Sequence, residues 1–385
     1  MRNLTSVAVM FVLSATLAQA APPQEAVVQG LYEGVWKDAG GSLPAEVRVV
    51  ALGDKKFALM ARRKLADGTI ERAEIPGKID GEQVAFAGEM GGTAWKATYA
   101  DGTIKGSIGD KGTLEIKRIE RKPPSLGKKP PTSAVVLFDG RKFDELERAG
   151  KAPWHVGDMS KDGWPVWEIG LQYSGDKEPS VWPTLQNPLP PGWVIVPTRR
   201  KVETVVGIGE DGSIAVPKGG MFSARSFDAS ASSGGYDLHV EFMCNFVPGQ
   251  RGQGRSNSGV YVHGGEIQVL DSFGMATYTG GGCGGLYARI DPNCMEPILS
   301  LKGQKESTYS LASLPPLQWQ TFDMEFRVKK NEKGQAEGFL AVFHNGIKIH
   351  DALPMGVVRD KFRFHFQDHG NPVRYRNIWV VQVGP

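Results

Sequence analysis

Short alternating runs of apolar residues, separated by Gly or Asp-Gly turns, cover most of this chain, and no long stretch has helical periodicity. Residues 32–119 show the pattern most clearly, with turns such as Asp67-Gly68 and Asp101-Gly102 at regular spacing. A period of two is typical of strands that bury one face, and regular turns favour an antiparallel meander or barrel. The pattern therefore predicts an all-β protein, and the 49 Gly and 25 Pro residues supply its turns.

A Pro/Lys-rich segment at residues 121–132 divides the chain. Its Pro-Pro pairs can neither continue a helix nor pair inside a sheet, so we predict a stiff linker there. Residues 21–120 then form a small all-β accessory domain and residues 133–385 form the second domain. The first domain contains no His and no Cys, which favours a structural or glycan-binding role over a catalytic one.

The second domain repeats the alternating pattern, but its segments are separated by longer stretches of sequence. Strands are predicted at residues 236–242, 259–262, 266–270, 322–328, 339–343, 362–366 and 374–383. Mostly antiparallel strands joined by long irregular loops fit a two-sheet sandwich. The Trp- and Pro-rich residues 154–198 are interpreted as a large loop insertion.

The N-terminus has the three parts of a secretory signal peptide. Arg2 precedes an apolar stretch at residues 7–17, which is followed by Ala18-Gln19-Ala20. This stretch is too short to span a bilayer. We therefore expect residues 1–20 to be removed on export, leaving a secreted or periplasmic protein with no membrane association.

Charge and cysteine content exclude two classes of protein. With 45 basic and 42 acidic residues the chain is nearly neutral, which argues against a nucleic-acid partner. Three cysteines are too few for a disulfide scaffold. An exported chain allows one bridge, for which Cys283 and Cys294 in a Gly-rich segment are the candidate pair, while Cys244 is predicted to be a buried free thiol.

The first candidate site lies on the strand that contains Glu266. Because strand side chains alternate, Glu266 and Gln268 point to the same face, while Asp271 joins them only if a bulge or the strand end turns it. Carboxylates there can act as acid, base or nucleophile, and an amide can hold sugar hydroxyls. The alternative interpretation is an exposed strand face with solvated charges.

A second polar cluster follows a predicted strand near the C-terminus. Gln367, Asp368 and His369 stand beside a Gly, and Arg376 and Asn377 come a few residues later. Such a turn can project into a site, where the histidine would titrate near neutral pH. Alternatively, Asp368 only caps its own turn.

The same residue types leave a divalent metal open as a cofactor. His263, His369 and the nearby carboxylates could supply oxygen and nitrogen ligands. These residue types alone do not define a metal site, so no metal or other cofactor is assigned.

Several of these segments resemble one known family. The runs at residues 257–261, 266–274 and 367–378 resemble the signature of the 3-keto-disaccharide hydrolase domain, whose members include 3-keto-glucoside-1,2-lyases and 3-keto-2-hydroxy-glucal hydratases. Residues 137–140, 319–326 and 344–346 match further parts in the same order. The resemblance implies a concanavalin A-like jelly-roll sandwich and a substrate that is a saccharide or glycoside oxidised to a ketone at C3.

The resemblance also implies roles for individual residues. A C3 ketone acidifies the C2 proton, so a base can form an enolate and expel the C1 aglycone. Glu266 is the candidate base or acid, with Asp271 or His369 as its partner. The residues expected to orient hydroxyls or stabilise the oxyanion are Asn257, Gln268, Gln367, Asp368, Arg376 and Asn377.

The expected activity is therefore cleavage of 3-keto-glycosides, by hydrolysis or by elimination and rehydration. Two alternatives stay open: a sugar-binding sandwich without catalysis, and a conventional glycoside hydrolase. Related laminarinase-type enzymes carry Glu-x-Asp-x-x-Glu where this chain has Glu266, Gln268 and Asp271.

Overall fold

The structure is a computed structural model that describes residues 23–141, 144–148, 211–216, 219–371 and 373–384. The predicted signal peptide and the loop insertion at residues 154–198 lie outside these ranges. Among the described residues, no helix has the length and apolarity needed to cross a membrane. The prediction of an all-β protein is confirmed, because strands dominate both halves of the chain.

The N-terminal half is a closed barrel in which eight antiparallel strands pair in sequence order and the last strand pairs with the first. The strands are β1 (Gly30–Asp38), β2 (Gly41–Gly53), β3 (Lys56–Lys64), β4 (Ile70–Asp80), β5 (Gln83–Met90), β6 (Thr93–Ala100), β7 (Thr103–Ile108) and β8 (Gly112–Ile119). A short helix, α1 (Gln24–Val28), packs at one end, where Val28 is buried and its carbonyl accepts a hydrogen bond from the Tyr32 hydroxyl at 2.6 Å. Inward-facing apolar residues fill the interior.

The C-terminal half is a sandwich of two main sheets. One sheet has five strands, in the order β10 (Leu146–Arg148), β12 (Met221–Ser223), β23 (His365–Phe366), β15 (Asn257–Val262) and β16 (Gly265–Leu270). The other has seven, in the order β11 (Ile214–Ala215), β24 (Arg374–Val383), β14 (Gly235–Met243), β19 (Gln320–Lys330), β20 (Ala336–His344) and β21 (Ile347–Val357), with β9 (Val135–Phe138) also paired to β24.

Minor elements connect these sheets. Two ribbons pair β13 (Phe227–Asp228) with β22 (Lys361–Phe362) and β17 (Met295–Pro297) with β18 (Thr308–Ser310), and 3-10 turns lie at Gly252–Gly254 and Leu299–Leu301. The core between the two sheets is apolar and contains Val260, Ile267, Phe322 and Phe366. Because these alternating side chains are buried, the side chains between them point to the outer face of each sheet, where a functional site can form.

The barrel packs its outer wall against loops of the sandwich. Leu31, Val50 and Met60 of the barrel share an apolar cluster with Phe273 and other sandwich residues. Beside it lies Arg48, which is 1% exposed and donates to the carbonyls of two sandwich residues, Leu311 at 2.6 Å and Ser313 at 2.9 Å. A buried guanidinium that donates to two carbonyls of the neighbouring domain ties the two halves together.

The Pro/Lys-rich linker lies against the outer face of the seven-stranded sheet. The Gly127 amide donates to Glu241, the Ser125 hydroxyl donates to Asp323, and the Asn377 side chain donates to the Lys128 carbonyl at 3.0 Å. The linker is therefore held on the sheet, although its composition alone is typical of a solvated connection.

Candidate active site

One row of side chains crosses the whole five-stranded sheet. Strand register places Glu147, Phe222, His365, Tyr261 and Glu266 directly beside one another, one from each strand. Their neighbours along the strands, among them Met221, Val260, Ile267 and Phe366, belong to the sandwich core. The five residues therefore share the outer face of the sheet, and we call them the cross-sheet row.

Glu266 is the last residue of the cross-sheet row, and its carboxylate accepts few hydrogen bonds. Its residue is 9% exposed, and its Oε2 accepts a hydrogen bond from the Tyr261 hydroxyl at 2.8 Å. With the amide nitrogen of Gln268 turned toward it, Oε1 accepts a second bond at 3.0 Å. Burial raises the pKa of the Glu266 carboxyl above its ordinary value, although Tyr261 and the nearby His369 act in the opposite direction.

A glycine on the neighbouring strand makes room for this carboxylate. A Cβ added at Gly259 would lie 2.4 Å from Glu266 Oε1 and 2.7 Å from its Cγ. Any side chain at this position would push Glu266 away from Tyr261. The Asn-Ser-Gly run at the start of β15 thus has a steric purpose that sequence reasoning did not identify.

Tyr261 links Glu266 to the next strand. Its hydroxyl accepts a hydrogen bond from Gln367 Nε2 at 3.1 Å. Burial and the neighbouring Glu266 raise the pKa of Tyr261, so the phenol stays protonated and acts as a donor. The Gln367 Oε1 atom is buried and has no donor among the described residues, which leaves an acceptor at the site for a ligand.

Two further tyrosines stand beside Glu266 on a Gly-rich loop. The Gln253 amide donates to the hydroxyls of both Tyr278 and Tyr287, at 2.5 and 2.6 Å, and the two rings meet edge to face at 5.9 Å. The Tyr287 amide donates to the Glu266 carbonyl at 2.9 Å. Sequence reasoning missed these residues and Tyr261; aromatic residues flanking a Gly-rich loop are the one signal that could have identified them.

Three of the predicted site residues lie around this position. His369 is exposed, and the Asp368 carboxylate accepts hydrogen bonds from the backbone amides of Gly219 and Gly370. The Gly370 contact is that of a turn cap, and the Gly219 contact joins this turn to a distant segment of the chain. Asn257 is buried, and its backbone N–H donates to Asn371 Oδ1 at 3.0 Å. Asn257 Oδ1 is buried and, among the described residues, has no donor.

Asp271 lies on the opposite side of the sheet from Glu266. The alternation of side chains continues past the end of β16, so the Asp271 side chain points toward the core, as those of Ile267 and Val269 do. There it pairs with Arg255 at 2.8 Å, both side chains being at most 1% exposed. Burial raises the pKa of Asp271, and Arg255 opposes that effect. The structure does not bring Asp271 together with Glu266.

Arg376 and Asn377 lie on the other sheet altogether. They donate to Glu241 on the outer face of the seven-stranded sheet, at 2.7 Å from Arg376 Nε and 2.8 Å from Asn377 Nδ2. Their strand, β24, pairs with β14 and has no place in the five-stranded sheet. They are therefore separated from Glu266 by the sandwich core.

The predicted disulfide between Cys283 and Cys294 is wrong, because all three cysteines are free. The Cys283 thiol faces His344 Nε2 at 3.9 Å and the Cys294 thiol faces the Ser310 hydroxyl at 3.4 Å, so their side chains have different surroundings. The prediction that Cys244 is a buried free thiol is confirmed. Within the described ranges, no group of three or more His, Cys, Asp or Glu side chains is arranged to hold a metal ion.

Fold and site together define a β-sandwich protein with a buried carboxylate, bound to a tyrosine, on the outer face of one sheet. A family model described as the 3-keto-alpha-glucoside-1,2-lyase-like domain matches residues 133–381, which is more than half of the chain, and the protein belongs to this family. The family resemblance found in the sequence is thus confirmed and supports a function connected with 3-keto-glycosides. No curated protein matches the chain.

Proposed function

We propose that this protein is an enzyme that cleaves the glycosidic bond of 3-keto-glycosides, with Glu266 as the base that removes the C2 proton. The observation that carries the proposal is the environment of Glu266: a buried carboxylate with a raised pKa, hydrogen-bonded to a protonated phenol at 2.8 Å. A carboxylate whose pKa is raised toward neutrality is a stronger base, and general-base catalysis is most efficient there.

The first step breaks the C2–H bond. The proton moves to the Glu266 carboxylate, and the electron pair forms the enolate between C2 and C3. Negative charge then develops on the former ketone oxygen, where a neutral hydrogen-bond donor stabilises it. Because Glu266 loses its negative charge in this step, the single proton of the Tyr261 hydroxyl is released from its bond to Glu266 and can turn to the enolate oxygen, while Gln367 still donates to the phenol oxygen.

The second step breaks the bond between C1 and the aglycone oxygen. The enolate electrons form the C1=C2 double bond and restore the ketone, while the aglycone oxygen leaves and takes up a proton. His369, exposed beside Glu266, is our candidate for delivering that proton. Addition of water across C1=C2 then gives the free 3-keto sugar, so the net reaction is hydrolysis.

The position of Asp271 favours this chemistry over conventional glycoside hydrolysis. A retaining glycosidase needs two carboxyl groups about 5 Å apart on one side of the sugar. Asp271 is instead buried behind the sheet with Arg255. A sugar-binding module without catalysis is the other alternative, but it gains nothing from a carboxylate with a raised pKa.

Export is part of the proposal. Residues 1–20 carry the pattern of a secretory signal peptide, and we propose a secreted or periplasmic location for the mature protein. Mass spectrometry of the protein recovered from its producing cells would show an N-terminus after Ala20, whereas an intact Met1 in the exported fraction would contradict the proposal.

Turnover of a 3-keto-glucoside by the purified protein tests the activity. Glu266→Gln keeps the size of the side chain and removes the base, and we expect kcat to fall about 1000-fold. Glu325→Gln is the matched control, because Glu325 is exposed on β19 of the other sheet. Comparable turnover by Glu266→Gln and wild type would reject Glu266 as the base, and turnover of unoxidised glucosides alone would reject the ketone requirement.

A further inference from the structure

Three aromatic rings of the cross-sheet row form a continuous stack that starts beside Glu266. The Tyr261 and His365 ring centroids lie 4.9 Å apart, and those of His365 and Phe222 lie 4.3 Å apart with planes only 4° from parallel. These spacings are close to the distance of about 4.7–4.9 Å between neighbouring strands. The stack therefore follows the strand register directly away from the proposed base.

The stacking direction fixes how the rings meet a ligand. Because His365 and Phe222 lie face to face across neighbouring strands, their planes stand upright on the sheet and their edges point outward. The Tyr261 ring is tilted by 33° from the His365 plane and continues the same row. All three residues are only partly buried, so these edges form an accessible surface. Ring edges carry partial positive charge and attract the face of another aromatic ring.

This surface carries no net charge. Burial lowers the pKa of His365, so its imidazole is neutral near pH 7. At the far end Glu147 is paired with Arg363 at 2.7 Å, and that guanidinium lies 5.8 Å from the Phe222 ring centroid. The charges of Glu147 and Arg363 thus balance each other at the end of the row. We call the outward ring edges of Tyr261, His365 and Phe222, which lie between Glu266 and Glu147, the strip, and an uncharged, flat ligand suits it.

We propose that Tyr261, His365 and Phe222 form the aglycone subsite and that it takes a flat aromatic aglycone. The inference rests on the proposed function, because it sets the sugar at Glu266 and lets the C1 substituent extend along the row. The aglycone ring would lie across the outward edges of His365 and Phe222 in edge-to-face contact. The substrates of this class are 3-keto-glucosides of phenols or related ring compounds, and the leaving group is the phenol oxygen.

Ligand binding to Glu266→Gln tests the subsite without turnover. Calorimetric titration would compare phenyl 3-keto-glucoside with methyl 3-keto-glucoside, in both anomers. We expect the phenyl compound to bind about tenfold more tightly, the effect of one or two edge-to-face contacts. Adding Phe222→Leu should abolish most of this preference, and adding Phe222→Tyr, which keeps the ring, should retain it.

Phe339→Leu is the matched control, since Phe339 is a half-buried aromatic residue on β20 of the other sheet. Equal binding of phenyl and methyl compounds, or a preference unaffected by Phe222→Leu, would overturn the subsite. Tighter binding of a 3-keto-disaccharide than of the phenyl compound would assign the strip to a sugar ring and overturn the aromatic preference.

Wild-type turnover separates this proposal from the proposed function. If the wild type cleaves 3-keto-glucosides without an aromatic preference, the subsite alone fails. If it binds the phenyl compound preferentially through Phe222 but turns over no 3-keto-glucoside, the proposed function fails and the binding strip stands.

Discussion

Glu266 and Glu241 are both buried glutamates, and they lie on the outer faces of opposite sheets of the same sandwich. Glu241, 1% exposed, receives hydrogen bonds from Arg376, Asn377 and the Gly127 amide. Although burial alone would raise it, these donors and His239 lower the pKa of Glu241 to about 2. Burial raises the pKa of Glu266, and its donors, which are fewer and uncharged, do not reverse that effect.

The difference shows that burial alone does not set the pKa of a carboxylate, because the number and charge of its hydrogen-bond donors decide the direction of the shift. Glu241 is held ionised and is a poor base, so it serves as an anchor for the linker that joins the barrel to the sandwich. Glu266 is destabilised as an anion and would gain from taking a proton. The same residue type is thus structural on one sheet and suited to catalysis on the other.

Removing the phenol beside Glu266 should have the largest effect. Tyr261→Phe deletes the proposed donor to the enolate oxygen, and we expect kcat/KM to fall by up to about 1000-fold, or about 4 kcal/mol. Tyr261 also lowers the pKa of Glu266, so its loss should raise that pKa. Since the base must be ionised, the acidic limb of the rate profile should move to higher pH, and a limb that stays in place or moves lower would contradict the assignment.

Removing the anchor on the other sheet should affect stability and spare the chemistry. The pKa of Glu241 falls from its ordinary 4.5 to about 2 on folding, a difference that corresponds to about 3 kcal/mol of stabilisation. This contribution is complete above pH 4.5 and is lost as the pH falls through about 2. Urea unfolding of Glu241→Gln should therefore show the full loss at pH 7 and a smaller loss at pH 3.

Glu266→Gln is the counterpart of this substitution and should carry no such cost. A carboxyl with a raised pKa destabilises the folded state once it ionises, so neutralising it should leave stability at pH 7 unchanged or higher. A large loss of stability in Glu266→Gln, or none in Glu241→Gln, would reverse the comparison between the two glutamates.

The glycine that accommodates Glu266 offers a smaller effect on the chemistry than the loss of Tyr261, and a more selective one. Gly259→Ala should displace the Glu266 carboxylate and lower kcat/KM about 100-fold, the usual cost of misplacing a catalytic group by about 1 Å. The unfolding midpoint should change little, because the Glu266 side chain can turn outward. Gly384→Ala is the matched control, since a Cβ there meets no atom within 4 Å; equal effects of the two changes would reject the steric role.

Local patterns in the sequence were sufficient for most of the strands. Predicted strands at residues 236–242, 259–262, 266–270, 322–328, 339–343 and 374–383 each lie within a strand of the structure. Residues 362–366 instead divide into β22 and β23, which pair with different partners. Strand β21 was missed because Pro354 and Gly356 interrupt its alternation, and the structure has register shifts there.

The site was only partly predictable because its members meet through long-range register. Alternation predicted that Glu266 and Gln268 share a face, which they do. Glu147, Phe222 and His365 join them only once the order of strands in the sheet is known. The same order takes Arg376 and Asn377 to the other sheet, a consequence that no local pattern contains.

Deuterium at C2 of the released sugar tests the central claim most directly. Cleavage of a 3-keto-glucoside in D2O by the wild type should give a 3-keto sugar that carries deuterium at C2 from the earliest time points. Incubating the free 3-keto sugar without enzyme corrects for spontaneous exchange, and Glu266→Gln should release almost no sugar. A product that keeps its original hydrogen at C2 would mean direct hydrolysis at C1, and it would contradict proton removal by Glu266.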